Sequence, residues 1–383
     1  MTNWKIPLYK IYSDEDDLNL ITKIIRRGRD WALGPEIEEL ENLIKEYVGV
    51  DYCLTLNSGT SALHAVLLSY EIDQNSEVIV PSFSFISTVN SVLFVNAVPI
   101  FSDIENETFG LDPTLITKNI SSKTKALLPM DYGGMSCKIF ELNEIAKENN
   151  LLLIEDAAES LGSSVNGFKS GSIADTSIFS FCGNKVLTTG EGGAVVTNSK
   201  EVYEKIKLIR SHGRIDNTSY FNNPNSSNYL QLGYNWRMSS LTAGLGISQL
   251  HKLDKIIKLR QSNAAYISKR IEKIPYVQTP KIPNNYQHIF QLYSILLSTK
   301  NIRNQLHSFL LKEEIFSKIY FEPIHKTSFY RKKFQTQNFS LPVTENISER
   351  ILTLPMYPNM TTEEKNLLIN KIYEFFETRD FEN

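Results

Sequence analysis

Apolar and polar positions alternate along this chain in two rhythms, and the change from one to the other recurs through its first two thirds. Pro35 opens a stretch in which Ile37, Leu40, Ile44 and Tyr47 recur at three- to four-residue spacing, and Gly49 follows. Proline just inside a helix start and glycine just past its end bound an amphipathic helix. Short apolar runs come next, and they predict strands at about 53–56, 77–80, 98–102, 124–129, 151–155, 177–181 and 193–197. Helical spacing fills most of the gaps. Strands separated in this way predict an α/β fold with a mostly parallel sheet and helices on both faces.

The texture changes near Leu250. A lysine-rich helical pattern carrying Leu253, Ile256, Ile257 and Leu259 leads the chain away. Beyond it the pattern predicts a strand at 291–297, a helix at 301–313 and a terminal helix at 361–376. The expected division is a large domain over 1–251 and a smaller C-terminal α/β domain over 252–383. Residues 217–228, rich in Asn and Ser and without periodicity, read as a mobile loop able to close over a substrate or partner.

Composition narrows the classes. With 383 residues, 42% of them hydrophobic, the chain can bury a large core. A formal net charge of −3 provides no basic field for nucleic acid. Lys252, Lys255, Lys258 and Arg260 are expected to form a solvated helix face. Cys53, Cys137 and Cys182 are too few and too unpatterned for a disulfide framework or a metal site. The N-terminus lacks the apolar core of a signal peptide, and no run approaches the ~18 apolar residues of a membrane span. A cytoplasmic protein, with no membrane or nucleic-acid partner, is the expectation.

Four segments carry candidate chemistry. In the first, the apolar run Phe179-Ser180-Phe181 enters a glycine-rich turn that holds Lys185 and ends in Gly190-Glu191-Gly192-Gly193. A lysine amine can form a reversible Schiff base, and a neighbouring serine and backbone amides can hold a phosphate; alone, the lysine also reads as loop surface. In the second, Leu151-Leu152-Leu153-Ile154-Glu155-Asp156-Ala157-Ala158-Glu159 is a doubly buried strand ending in carboxylates, at the end of the sheet where α/β ligands lie. Asp156 there is either a helix cap or a partner for a ring nitrogen. The third, Asn57-Ser58-Gly59-Thr60-Ser61, starts a helix whose amides and hydroxyls suit a phosphate, or simply caps that helix. The fourth puts Phe85 just past the strand ending at Pro81, as core or as a stacking surface.

In this order the four segments resemble the DegT/StrS family of pyridoxal phosphate (PLP)-dependent nucleotide-sugar aminotransferases, of fold-type I. The likeness spans nearly the whole chain, from Gly34-Pro35-Glu36-Ile37 through Leu232-Gly233-Tyr234-Asn235-Trp236-Arg237-Met238 to Pro323-Ile324-His325. The wording around Lys185 is most similar to members of the GDP-perosamine synthase type, which act on 4-keto-6-deoxy sugars in surface polysaccharide (lipopolysaccharide) biosynthesis.

The resemblance implies a role for each matched residue. Lys185 would hold the cofactor covalently and carry the proton. Asp156 would pair with the ring nitrogen, Glu159 would approach the ring hydroxyl where many relatives have Gln, and Phe85 would stack on the ring. Gly59, Thr60 and Ser180 would hold the phosphate, Asn235 would reach the cofactor of a partner subunit in a homodimer with shared sites, and Tyr320 and His325 would lie near the nucleotide sugar. Asp131, Met135 and Glu322 depart from the family pattern where the sugar is expected to be read. Glutamate would donate the amine and the keto carbon would be C4. The alternatives are a 3-keto sugar, another PLP-dependent reaction on a nucleotide sugar, or a non-catalytic ligand sensor. Retention of Lys185 speaks against the family's dehydratases, which replace it, and no DNA-binding extension is expected at either end.

Overall fold

Seven strands form the central sheet: β1 (Tyr52–Leu56), β2 (Glu77–Pro81), β3 (Val98–Ser102), β4 (Thr124–Leu127), β5 (Leu152–Asp156), β6 (Thr176–Ser180) and β7 (Gly193–Thr197). Their spatial order is β1-β7-β6-β5-β4-β2-β3, and β7 alone runs against its neighbours. The computed structural model describes residues 4–214, 228–334 and 339–379. Residues 217–227 of the loop expected from the sequence lie outside the described residues.

Burial explains the pattern. Leu153, Ile154, Glu155 and Asp156 of β5 are all buried, as an interior strand covered on both faces requires. β4 ends at Leu127, two residues short of the expected limit. Pro129 follows and has no N–H to give to a ladder, although its carbonyl still accepts from Asp156 N. The helix Pro35–Val48 starts on its proline and ends at Gly49 with φ +85°, a left-handed closure that glycine adopts without strain. On one side of the sheet the helix Gly59–Ser69 packs Leu63, Val66 and Leu67 against Leu54, Ile154 and Ile178.

A second core lies around the antiparallel strands Val277–Gln278, Tyr293–Leu297 and Ile351–Leu354. The helices Leu253–Ile271, Lys300–Lys312 and Thr362–Glu377 supply Ile267, Ile271, Leu306, Leu310, Ile372 and Phe375 to it. Ile6, from the other end of the chain, is fully buried in this same core and bridges to Ile315. On this packing we propose the domain division at Lys252, with the N-terminal segment around Ile6 docked on the smaller unit.

The expected solvated face at Lys252, Lys255, Lys258 and Arg260 needs correction. Lys255 and Lys258 are exposed. Lys252 instead forms ion pairs with Asp14 and, at 2.8 Å, with Asp17. Arg260 is buried and donates Nε and Nη2 to the carbonyls of Phe290 and Gln291, each at 2.9 Å. Lys252 and Arg260 flank Ile256 by four residues on either side, so helical spacing sets both beside the apolar stripe.

Candidate active site

The sheet gathers the candidate residues at one edge. β1, β2, β4, β5 and β6 all run in the same direction, so the turns after them open together beyond their carboxyl ends. The turn after β6 carries Lys185. Its amide donates to Cys182 O at 2.9 Å, and Thr189 N returns to Phe181 O, so the loop closes on its own base. Asn184 O accepts from Gln291 Nε2 at 2.8 Å, which ties the turn to the smaller unit.

Lys185 points inward. Its side chain is 13% exposed and its Nζ stands 3.1 Å from Glu159 Oε1. The other oxygen of Glu159 accepts from Gly133 N at 2.9 Å, which fixes the carboxylate's orientation. Asp156 is buried at the end of β5 and accepts from Thr88 Oγ1 at 2.6 Å and from Ala158 N at 3.2 Å. Burial pushes the Asp156 carboxyl up to about 6, against the opposing pull of these hydrogen bonds and of the Lys185 charge. A carboxylate held out of water in this way is ready for a cation beside it.

Thr88 is a residue that sequence reasoning missed. It sits in the first turn of the helix Ile86–Phe94, where its amide donates to Phe85 O, and its hydroxyl takes a 2.6 Å hydrogen bond from Ser84. Phe85, Thr88 and Asp156 are thus linked in one short structure, with Phe85 55% exposed. The spacing alone is a partial signal, since a hydroxyl three residues after Phe85 lies one helical turn along but also reads as a cap.

The candidate phosphate cradle is built from close backbone approach. A Cβ at Gly59 would lie 2.9 Å from Ser180 Cβ, and one at Gly193 would lie 2.6 Å from Gly59 N. The helix Gly59–Ser69 presents its first amides here, with Ser58 capping through a hydrogen bond from Ser61 N. Asn57 N donates to Trp236 O at 2.8 Å, which brings the 234–237 segment onto the cradle and leaves Asn235 exposed. An inward amine, a buried carboxylate and a glycine-lined helix start with Thr60 and Ser180 beside it suit PLP in both charge and room.

Among the described residues, His325 and Tyr320 make no hydrogen bond to Lys185, Glu159 or Asp156, and Tyr320 is joined to them through Tyr132, whose neighbour Gly133 holds Glu159. His325 is buried; its Nδ1 is 2.7 Å from Ser82 Oγ and its Nε2 3.3 Å from Glu345 Oε1. Tyr320 offers its carbonyl to Tyr132 Oη at 2.8 Å, and Lys318 Nζ lies over its ring. Asp131, expected where the sugar is read, is fully buried and accepts from Cys137 N and Ser160 Oγ. Its carboxyl interacts electrostatically with that of Glu155, which burial pushes far above the usual range. Glu155 and Asp156 alternate along β5, so Asp131 belongs with the face opposite Asp156.

The profile of the DegT/DnrJ/EryC1/StrS aminotransferase family matches residues 12–373. GDP-perosamine synthase of Escherichia coli O157:H7 is 34% identical over 343 residues, 90% of this chain and 91% of that protein. The UDP-4-amino-4,6-dideoxy-N-acetyl-beta-L-altrosamine transaminase of Campylobacter jejuni serotype O:23/36 is 34% identical over 95% of this chain and 96% of its own length. Among solved structures, the PseC aminotransferase of Helicobacter pylori, involved in the biosynthesis of pseudoaminic acid, superposes with a TM-score of 0.91. It has 27% identity and covers 98% of this chain and 100% of that one.

Proposed function

Because the chain belongs to the DegT/DnrJ/EryC1/StrS aminotransferase family, whose members depend on PLP to transaminate nucleotide sugars, we propose that it moves an amino group from glutamate to C4 of a nucleotide-linked 4-keto-6-deoxy sugar. The observation that carries the reading of the site is the convergence of Lys185, Glu159 and Asp156 at one end of the sheet. The choice of C4 is supported by the relative named for a 4-amino-4,6-dideoxy sugar.

The bound cofactor supplies an aldehyde that takes up the amine and a ring that accepts negative charge from the neighbouring carbon. Each residue then has a task of its own. Asp156, fixed by Thr88, holds a positive charge at the ring nitrogen. Lys185 Nζ would hold the aldehyde until the donor's amine displaces it, and the freed amine would then take the donor's α-proton as a base; a positioned base of this kind contributes ~10²–10⁴-fold. Glu159 Oε1 keeps Nζ oriented while it is free. Gly59, Thr60 and Ser180 bind the phosphate, and Phe85 covers the ring face. Asn235, exposed here, reaches the cofactor of a second subunit in a homodimer. Tyr320 and the turn supported by His325 and Ser82 border the sugar. Among the described residues no helix is long and apolar enough to cross a membrane; we place the enzyme in the cytoplasm, in surface polysaccharide biosynthesis.

The test is a single-turnover spectrum of protein loaded with pyridoxamine phosphate, against a panel of GDP-, UDP- and dTDP-linked 4-keto-6-deoxy sugars. Return of the aldehyde form of the cofactor with one of them is the expected result. If glutamate and 2-oxoglutarate interconvert the two forms while every 4-keto sugar fails, the C4 assignment falls.

A further inference from the structure

Far in sequence from these residues, the helices Leu253–Ile271 and Thr362–Glu377 of the smaller unit border a groove of about 740 Å³. Four cations line it: Lys269 and Arg270 from the last turn of the first helix, Lys273 just beyond, and Lys365 from the second. No carboxylate is among the lining residues, and among the described residues none of the four makes an ion pair. The contrast with the surroundings is sharp, since Lys371 pairs with Glu313 and Glu374, Lys300 with Glu349 and Lys10 with Glu364. In a chain of net charge −3, four cations share this groove with no carboxylate in its lining, although Glu363 and Glu364 precede Lys365 on its helix.

Two of the four are held in place. The Arg270 guanidinium carbon lies 3.4 Å from the centre of the Tyr266 ring, and Arg270 Nη1 donates to Tyr266 O at 2.9 Å. Lys365 Nζ lies 4.9 Å from the same ring centre and donates to Asn263 Oδ1 at 3.0 Å. Two cations on one aromatic ring repel each other, and a multivalent anion bound beside them offsets that repulsion. A plainer origin accounts for part of the set, because a helix C-terminus attracts cations and Lys269 and Arg270 are in one. Lys365, near the start of its helix, has Glu363 and Glu364 beside it in the chain, so what neither local effect explains is that the cations of two helices converge on one groove.

We propose that this groove binds a small molecule carrying a chain of two or more phosphates. Arginine recognises phosphate oxygens with paired donors, and lysines provide point charges around them. The volume falls in the range of small-molecule sites, and the cations are confined to one groove between two helices. The chemistry is common to inorganic polyphosphate and to a nucleoside polyphosphate.

Isothermal titration calorimetry of the full-length, cofactor-loaded protein at about 0.15 M salt tests the site, with tripolyphosphate and a nucleoside triphosphate as probes and citrate as the control anion. The comparison is with Lys269→Glu/Lys273→Glu, two exposed positions away from the candidate active site. The expected result is saturable binding that is at least tenfold weaker in the variant, with the amino-transfer rate unaltered. A nucleoside triphosphate binding more tightly than tripolyphosphate identifies a nucleoside ligand, and equal affinity identifies inorganic polyphosphate. No saturable binding, equal affinity in the variant, or equal affinity for citrate overturns the proposal. The heat of binding is read independently of the sugar substrate, so the failure of one assignment leaves the other standing.

Discussion

Lys185 Nζ stands 3.1 Å from Glu159 Oε1, while the second oxygen of the same carboxylate is held by the Gly133 amide. The amine is therefore aimed by a group that is itself fixed at both ends of a short chain: strand end, carboxylate, backbone.

Removal of that amine is the most direct check. Lys185→Ala is expected to lower amino transfer by at least ~10²-fold, the lower end of what a positioned base contributes, because anchoring and proton transfer are lost together. Steady-state assay with the best substrate, beside a measurement of retained cofactor, decides it. Turnover within about tenfold of the native enzyme would remove Lys185 from its role.

Asp156 predicts a pH signature. Its folded-state value of about 6 lies above the ~3.9 of an unfolded aspartate, so burial of the charged form costs stability. That cost is absent below about pH 4, grows as pH rises, and is complete once the folded group has ionised above about pH 6. Asp156→Asn, free of cofactor, is thus expected to be more stable than the native chain at neutral pH, by on the order of 1–3 kcal/mol, with the gap closing as pH falls toward 4. Addition of PLP should reverse the order, since a cationic ring nitrogen favours the carboxylate. Thermal melts of both proteins across this range, with and without cofactor, measure it; a gap independent of pH would contradict the buried charge.

Much of this was legible in the chain, for reasons that vary by residue. The run from Leu151 to Asp156 announced a doubly buried strand because every position but the last two is apolar. The Lys185 turn announced itself through its glycines. Thr88 did not, since a hydroxyl in a first helical turn reads as a cap until the strand end facing it is known. The burial of Asp131 was not legible, because it depends on Ser160 and on the neighbouring strand that carries Glu155, and proximity across strands is invisible to local pattern.

Gly59→Ala probes the cradle. The added methyl would lie 2.9 Å from Ser180 Cβ, with no flexible side-chain end to give way. A cost of ~1–3 kcal/mol from overpacking is expected, together with at least tenfold weaker binding of the phosphorylated cofactor. Adding Ser180→Gly removes the colliding atom, so the double variant should recover thermal stability while remaining weak for cofactor. Recovery of both would mean that the Ser180 hydroxyl does not serve the phosphate.

Arg260 separates buried from solvated charge on one helix. Its guanidinium satisfies the carbonyls of Phe290 and Gln291 in the interior, just before the strand Tyr293–Leu297, and burial lowers its pKa to about 9. Arg260→Ala leaves both carbonyls buried without these donors and opens a cavity, an expected loss of ~2–4 kcal/mol. Lys258→Ala, two residues away on the exposed face, is expected to change stability by less than ~0.5 kcal/mol. Denaturant melts of the two variants, both without cofactor, make the comparison. Since Gln291 also donates to Asn184 O beside Lys185, the Arg260 variant should in addition hold the cofactor less tightly, an effect the Lys258 variant should not show. Equal stability of the two variants would return the whole cluster to the solvent.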